Sequence, residues 1–138
     1  MLKLLFLFFG ISSLAFSQNT SLTVTVTGIK NNTGKLTAEV YNSKGKFLKS
    51  AFKTTSSTIK SNSVTIVFND LPKSEYTVMV YHDENNNGKL DKNFIGMPKE
   101  AVACSNNAKG FMGPPKYEDA KFSLMADSKV IIKMNDKL

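Results

Sequence analysis

The 138-residue chain has no arginine and no tryptophan, one cysteine and one histidine. Each scarcity excludes something. All 18 basic side chains are lysine, so the formal charge of +7 lacks the planar fork that reads base edges bidentately. Nucleic acid is therefore not an expected partner. Cys104 alone cannot form an intrachain disulfide or a cysteine-rich zinc site. His82 alone cannot supply a multi-histidine metal centre. No apolar run approaches the roughly 20 residues of a membrane-spanning helix. Asparagine, by contrast, occurs 13 times. With abundant Ser and Thr, that composition points to a polar, turn-rich β protein.

The first residues read as a secretory signal peptide over 1–17. Lys3 gives a positive start, Leu4 to Ile11 is a short apolar run, and Ala15-Phe16-Ser17 offers small residues before a cleavage point at Gln18. Removing it leaves a domain over 18–138 with a charge of +6 and no transmembrane segment. The expected location is outside the cytoplasm, periplasmic or extracellular. A chain of this length can bury one core without staples. Cys104 is expected to be a buried, small apolar residue.

Strict alternation marks the strands. Leu22, Val24 and Val26 alternate with threonines. Leu36, Ala38 and Val40 form a second strand, read as a hairpin partner of the first across the Asn31-Asn32-Thr33-Gly34 turn. Phe47 to Thr58 is less regular, an edge strand or connection. Val64, Ile66 and Phe68, then Tyr76, Val78 and Val80, follow on either side of a turn at Leu71–Glu75. Ala120, Phe122 and Leu124, then Val130, Ile132 and Met134, close the chain. About seven short strands without an amphipathic helix predict an all-β fold, a single antiparallel Ig-like β-sandwich, with a small barrel as the alternative. Residues 92–117 form a long ordered loop in this reading. A structureless stretch of that length in a compact domain is either functional or a sign that an element has been missed.

The chemistry concentrates at 83–91, Asp-Glu-Asn-Asn-Asn-Gly-Lys-Leu-Asp. Calcium takes six to eight hard oxygen ligands. The spacing D-x-N-x-N-G-x-x-D places Asp83, Asn85 and Asn87 at positions 1, 3 and 5. Gly88 makes the turn at position 6, Lys89 offers its backbone carbonyl at position 7, and Asp91 stands at position 9. The loop departs from the helix-flanked calcium hand. A strand precedes it, and Phe94 occupies position 12, where that motif has a bidentate glutamate. Glu100 is the candidate replacement, whereas Glu84 should point away from the ion. Asp83 and Asp91 as sure carboxylates imply weak binding, on the order of 10⁻⁴ M. His82 shares the parity of Tyr76, Val78 and Val80, and is read as supporting the loop from the inward face. The lysines, densest at Lys44, Lys46, Lys49 and Lys53, are read as a solubilising surface.

Taken together, Tyr76 through Asp91, the Gly-x-Pro-x-Glu block ending at Glu100, Ser105-Asn106-Asn107-Ala108, Gly113-Pro114-Pro115 and Asp119–Phe122 resemble the bacterial family catalogued as domain of unknown function 2141. The resemblance spans roughly 22–134 and implies an exported β-sandwich. It brings no activity with it. Three functional readings follow. The first is a non-enzymatic exported protein whose calcium-type loop orders an adjacent binding surface, with envelope glycan or protein as possible partners. The second is a glycan-binding or adhesive envelope module led by Tyr81, Phe111, Tyr117 and the lysines. The third is an envelope hydrolase using His82 with Asp83, Glu84 or Glu100; the balance is against an enzyme.

Overall fold

A computed structural model describes residues 18–134. The expected signal peptide over 1–17 lies outside them. Among the described residues there are eight strands, β1 (Thr20–Thr27), β2 (Lys35–Tyr41), β3 (Lys53–Thr58), β4 (Val64–Leu71), β5 (Ser74–Asp83), β6 (Val102–Cys104), β7 (Phe122–Leu124) and β8 (Ser128–Lys133), with one short α-helix, α1 (Tyr117–Ala120). One sheet has the order β4-β1-β8. The other runs β3-β2-β5-β6, with β7 also pairing with β5.

The all-β sandwich expected from alternation is present. The inward residues of β1, β2, β4, β5 and β8 meet in one core that includes Leu22, Val24, Leu36, Val40, Ile66, Phe68, Val78 and Ile132. Each of these is 3 % exposed or less. All the described strands and both hydrophobic clusters lie within residues 20–134.

Three expectations need correction. β1 and β2 are not a hairpin. β1 pairs with β4 and β8, and β2 pairs with β3 and β5, so the Asn31–Gly34 turn carries the chain between sheets. The sandwich is not purely antiparallel either, because β8 runs parallel to β1, from Leu22 opposite Ser128 to Thr27 opposite Lys133. Parallel neighbours need a long crossover, and almost the whole chain lies between these two. Lastly, the segment 92–117 is not one loop. It contains β6, which pairs Val102 with Tyr81 and Cys104 with Met79.

A second core lies on the outer face of the five-stranded sheet. Tyr41, Phe47, Met79, Tyr81, Cys104, Tyr117 and Ala120 cluster there. The Phe47 ring meets Tyr41 and Tyr117 edge-on, with centroids 5.5 and 5.8 Å apart, a geometry that suits the ring quadrupoles. β5 is consequently buried on both faces from Tyr76 to Asp83. The Ser105-Asn106-Asn107 block holds this layer down. Ser105 Oγ accepts from Val78 N–H and donates to the Ala120 carbonyl. Asn106 donates to the carbonyls of Asp119 and Lys121, and Asn107 accepts from Lys133 N–H.

Cys104 is 3 % exposed, and burial pushes its thiol up to about 12. Thiolate is the reactive form, so at pH 8 roughly one molecule in ten thousand carries it. We expect a disulfide reagent such as DTNB to label Cys104 at pH 8 only after denaturation. Stoichiometric labelling of the native protein would contradict the packing.

Candidate metal centre

The loop starts where the doubly buried strand ends. His82 is fully buried and Asp83 is 2 % exposed. A carbonyl oxygen can only accept, so His82 Nε2–H donates to the Thr33 carbonyl at 2.6 Å. Nδ1 lies 3.7 Å from Glu84 Oε1 and makes no hydrogen bond. Gly34 follows at φ +70°. A Cβ there would stand 2.0 Å from the Asp83 carbonyl oxygen, so only glycine lets the turn pack over the loop base. The turn residues thus clamp His82 and Asp83 from the neighbouring strand. Sequence reading recognised the turn. What it packs against could not be read, because Thr33 and His82 are 49 positions apart.

Side-chain oxygens organise the backbone of the loop itself. Asp83 Oδ1 accepts from Asn87 N–H at 3.1 Å, and Oδ2 from Gly88 N–H at 2.8 Å. Asn85 Oδ1 accepts from Asn87 N–H, and Asn87 Oδ1 from Lys89 N–H. Gly88 has φ +79° with open space around it, so its role is conformational. The side-chain amides of Asn85 and Asn87 both donate to the Asp91 carboxylate, at 2.6 and 2.8 Å. Those bonds hold the Asp91 carboxyl below its usual range.

Glu100 joins the loop from nine residues downstream. Its Oε2 accepts from Asp91 N–H at 3.2 Å, while Lys99 N–H donates to the Asp91 carbonyl at 2.8 Å. Glu100 Oε1 is buried without a well-formed hydrogen bond. Burial, aided by the nearby Asp91 and Asp83 carboxylates, raises the Glu100 carboxyl above its ordinary value, although the Glu84 backbone N–H also acts on this carboxyl and opposes the rise. The structure therefore brings Asp83, Asn85, Asn87, Asp91 and Glu100 together, with Lys89 inside the same turn. Glu84 is 48 % exposed and does not join them.

The donors are all hard oxygens, the set that suits calcium or magnesium rather than zinc or copper. Among the described residues no three His, Cys, Asp or Glu side chains group closely enough to hold a metal by themselves. Amides and a backbone carbonyl would have to complete any coordination sphere here. In their place, the two asparagine amides supply the positive ends that Asp91 requires.

A family model described as an uncharacterized protein conserved in bacteria (DUF2141) matches residues 24–133. The chain belongs to this family. No curated protein and no solved structure matches it. Among the described residues no helix is long and apolar enough to cross a membrane. Within this DUF2141 domain, the His-Asp pair, the Asn-rich loop, Glu100 and the Ser-Asn-Asn block all lie on or beside β5 or its end. The first three build the loop, and the last fastens the layer beside it.

Two substitutions separate the roles of the carboxylates without metal. Asp83→Asn keeps the size but turns an amide donor toward one of the two backbone N–H groups, and should cost about 2 kcal/mol in urea unfolding. Glu100→Gln keeps an acceptor for Asp91 N–H and removes a disfavoured charge. Because the folded Glu100 carboxyl is raised, the wild type loses stability as pH rises through that range. The Gln variant should lack this loss and be at least as stable at pH 7. A clear drop in its urea midpoint would overturn the assignment.

Proposed function

We propose that the chain is an exported, non-enzymatic β-sandwich protein whose 83–91 loop binds calcium and orders the segment after it as a binding surface. The observation that carries this reading is the buried Glu100 Oε1, without a well-formed hydrogen bond, beside Asp83 and Asp91. A buried carboxyl oxygen without a well-formed hydrogen bond is costly. A hard cation would satisfy it and relieve the repulsion at once. Asp83, Asn85, Asn87, the Lys89 carbonyl, Asp91 and Glu100 would hold the ion. Calcium fits better than magnesium, because a mixed set of carboxylates, amides and a carbonyl suits a large, flexible coordination sphere.

The other readings find less support. His82 is fully buried and committed to the Thr33 carbonyl, so it does not face a substrate in solvent. Of the three aromatics named for a glycan platform, Tyr81 and Tyr117 are 2 % and 8 % exposed and buried in the second core, and only Phe111, at 91 %, faces solvent.

Calcium added to residues 18–138 should raise the melting temperature. At about one hundred times the dissociation constant, mass action contributes roughly 2.7 kcal/mol, or about 10 °C for a domain this size. Asp83→Ala should abolish the shift. No shift at about 10 mM calcium, or an equal shift in the variant, would end this proposal.

A further inference from the structure

The hairpin at 92–98 is a built structure that turns apolar side chains toward water. Lys92 bridges to Pro98. Asn93 N–H donates to the Met97 carbonyl at 2.8 Å, and Gly96 N–H to the Asn93 carbonyl at 3.0 Å. The Asn93 side-chain oxygen accepts from both Ile95 and Met97 N–H, at 3.1 and 3.0 Å. One asparagine thus staples the tip from within. At that tip Phe94 is 100 % exposed, Ile95 64 % and Met97 52 %.

The surroundings are basic. Lys89, Lys92 and Lys99 are exposed, and 92–99 contains no acidic residue. The two acids that flank the hairpin point back into the loop. Asp91 is held by Asn85 and Asn87, and Glu100 by Asp91 N–H. An apolar tip collared by lysines complements a surface that is anionic outside and apolar just beneath. Lysine pairs with lipid phosphate while its stem lies along the apolar layer, and Phe and Ile fit the acyl boundary. A glycan would make use of the Phe94 ring but not of Ile95 or Met97.

We propose that the 92–98 hairpin docks the chain on anionic lipid bilayers, with Phe94 and Ile95 entering the headgroup–acyl boundary and Lys92 and Lys99 meeting lipid phosphates. This names the partner of the binding surface proposed above and rests on that surface. It does not rest on the metal, because the Asn93 staple lies wholly within the hairpin.

Vesicle co-sedimentation of residues 18–138 in EDTA tests it, with phosphatidylglycerol–phosphatidylcholine vesicles against phosphatidylcholine alone. Retention should require the anionic lipid. It should fall about tenfold in Phe94→Ser/Ile95→Ser and about tenfold in Lys92→Gln/Lys99→Gln. All four side chains are exposed, so the variants should melt with the wild type. Phe111→Ser, which removes an equally exposed ring outside the hairpin, should bind normally. The chain lacks tryptophan, so Phe94→Trp is a single reporter whose emission should shift to shorter wavelength on anionic vesicles. Unchanged retention in Phe94→Ser/Ile95→Ser, unshifted Trp emission in the bound state, or capture by insoluble peptidoglycan without vesicle binding would overturn the proposal. A calcium melting shift without vesicle binding would remove this inference and leave the metal reading intact. Vesicle binding in EDTA without a melting shift would support this inference and remove the metal.

Discussion

Burial of β5 on both faces is the constraint on which the other features depend. Tyr76, Val78, Val80 and His82 close the core between the sheets, while Thr77, Met79 and Tyr81 lie under the second layer. The same strand hydrogen-bonds with β2, β6 and β7. A segment gripped on every side has little freedom, and its last residue inherits that rigidity. Asp83 therefore begins an exposed loop from a fixed position. Asparagine-rich turns in water ordinarily sample many conformations; this one is anchored by a buried carboxylate that accepts from two of its backbone N–H groups.

The electrostatics of the loop divide between two carboxylates. Asp91 sits among donors and is held in its charged form, whereas Glu100 is partly withdrawn from water and faces two other acids. The amides of Asn85 and Asn87 settle the first and leave the second unsettled. That imbalance separates this loop from a plain solvated turn, in which every polar atom would find water. His82 Nδ1 and Glu100 Oε1 are two of the three buried polar side-chain atoms without a well-formed hydrogen bond among the described residues. Both lie beside the same loop.

Most of the strands were legible because threonine and serine alternate with aliphatic residues in β1, β2 and β4. The loop was legible because Gly88 falls in phase with Asp83, Asn85 and Asn87. Pairing was not legible. Alternation states which face of a strand is apolar, but not which neighbour it meets, so the β1–β2 hairpin that proximity in sequence suggests is replaced by pairing of β1 with β4 and β8. The second core was hidden for a related reason. Thr77, Met79 and Tyr81 look like a half-polar outer face, and their cover comes from Phe47 and Tyr117, some thirty or forty positions away on either side. β6 was hidden because three residues are too few to show a period. The link from Glu100 to Asp91 spans a hairpin whose closure depends on Asn93, a residue that reads as one more turn former.

The parallel pairing of β1 with β8 bears on how the molecule is made. β1 occupies the middle of the three-stranded sheet, between a strand some forty residues away and one at the far end of the chain. A ribosome delivers β1 first and β8 last. Until residues 128–133 emerge, β1 has an open flank and the inter-sheet core lacks Ile132. Contacts between distant parts of a chain form slowly, because loop closure comes before any gain from packing. The topology therefore keeps the nascent chain from closing this sheet before residues 128–133 have been made.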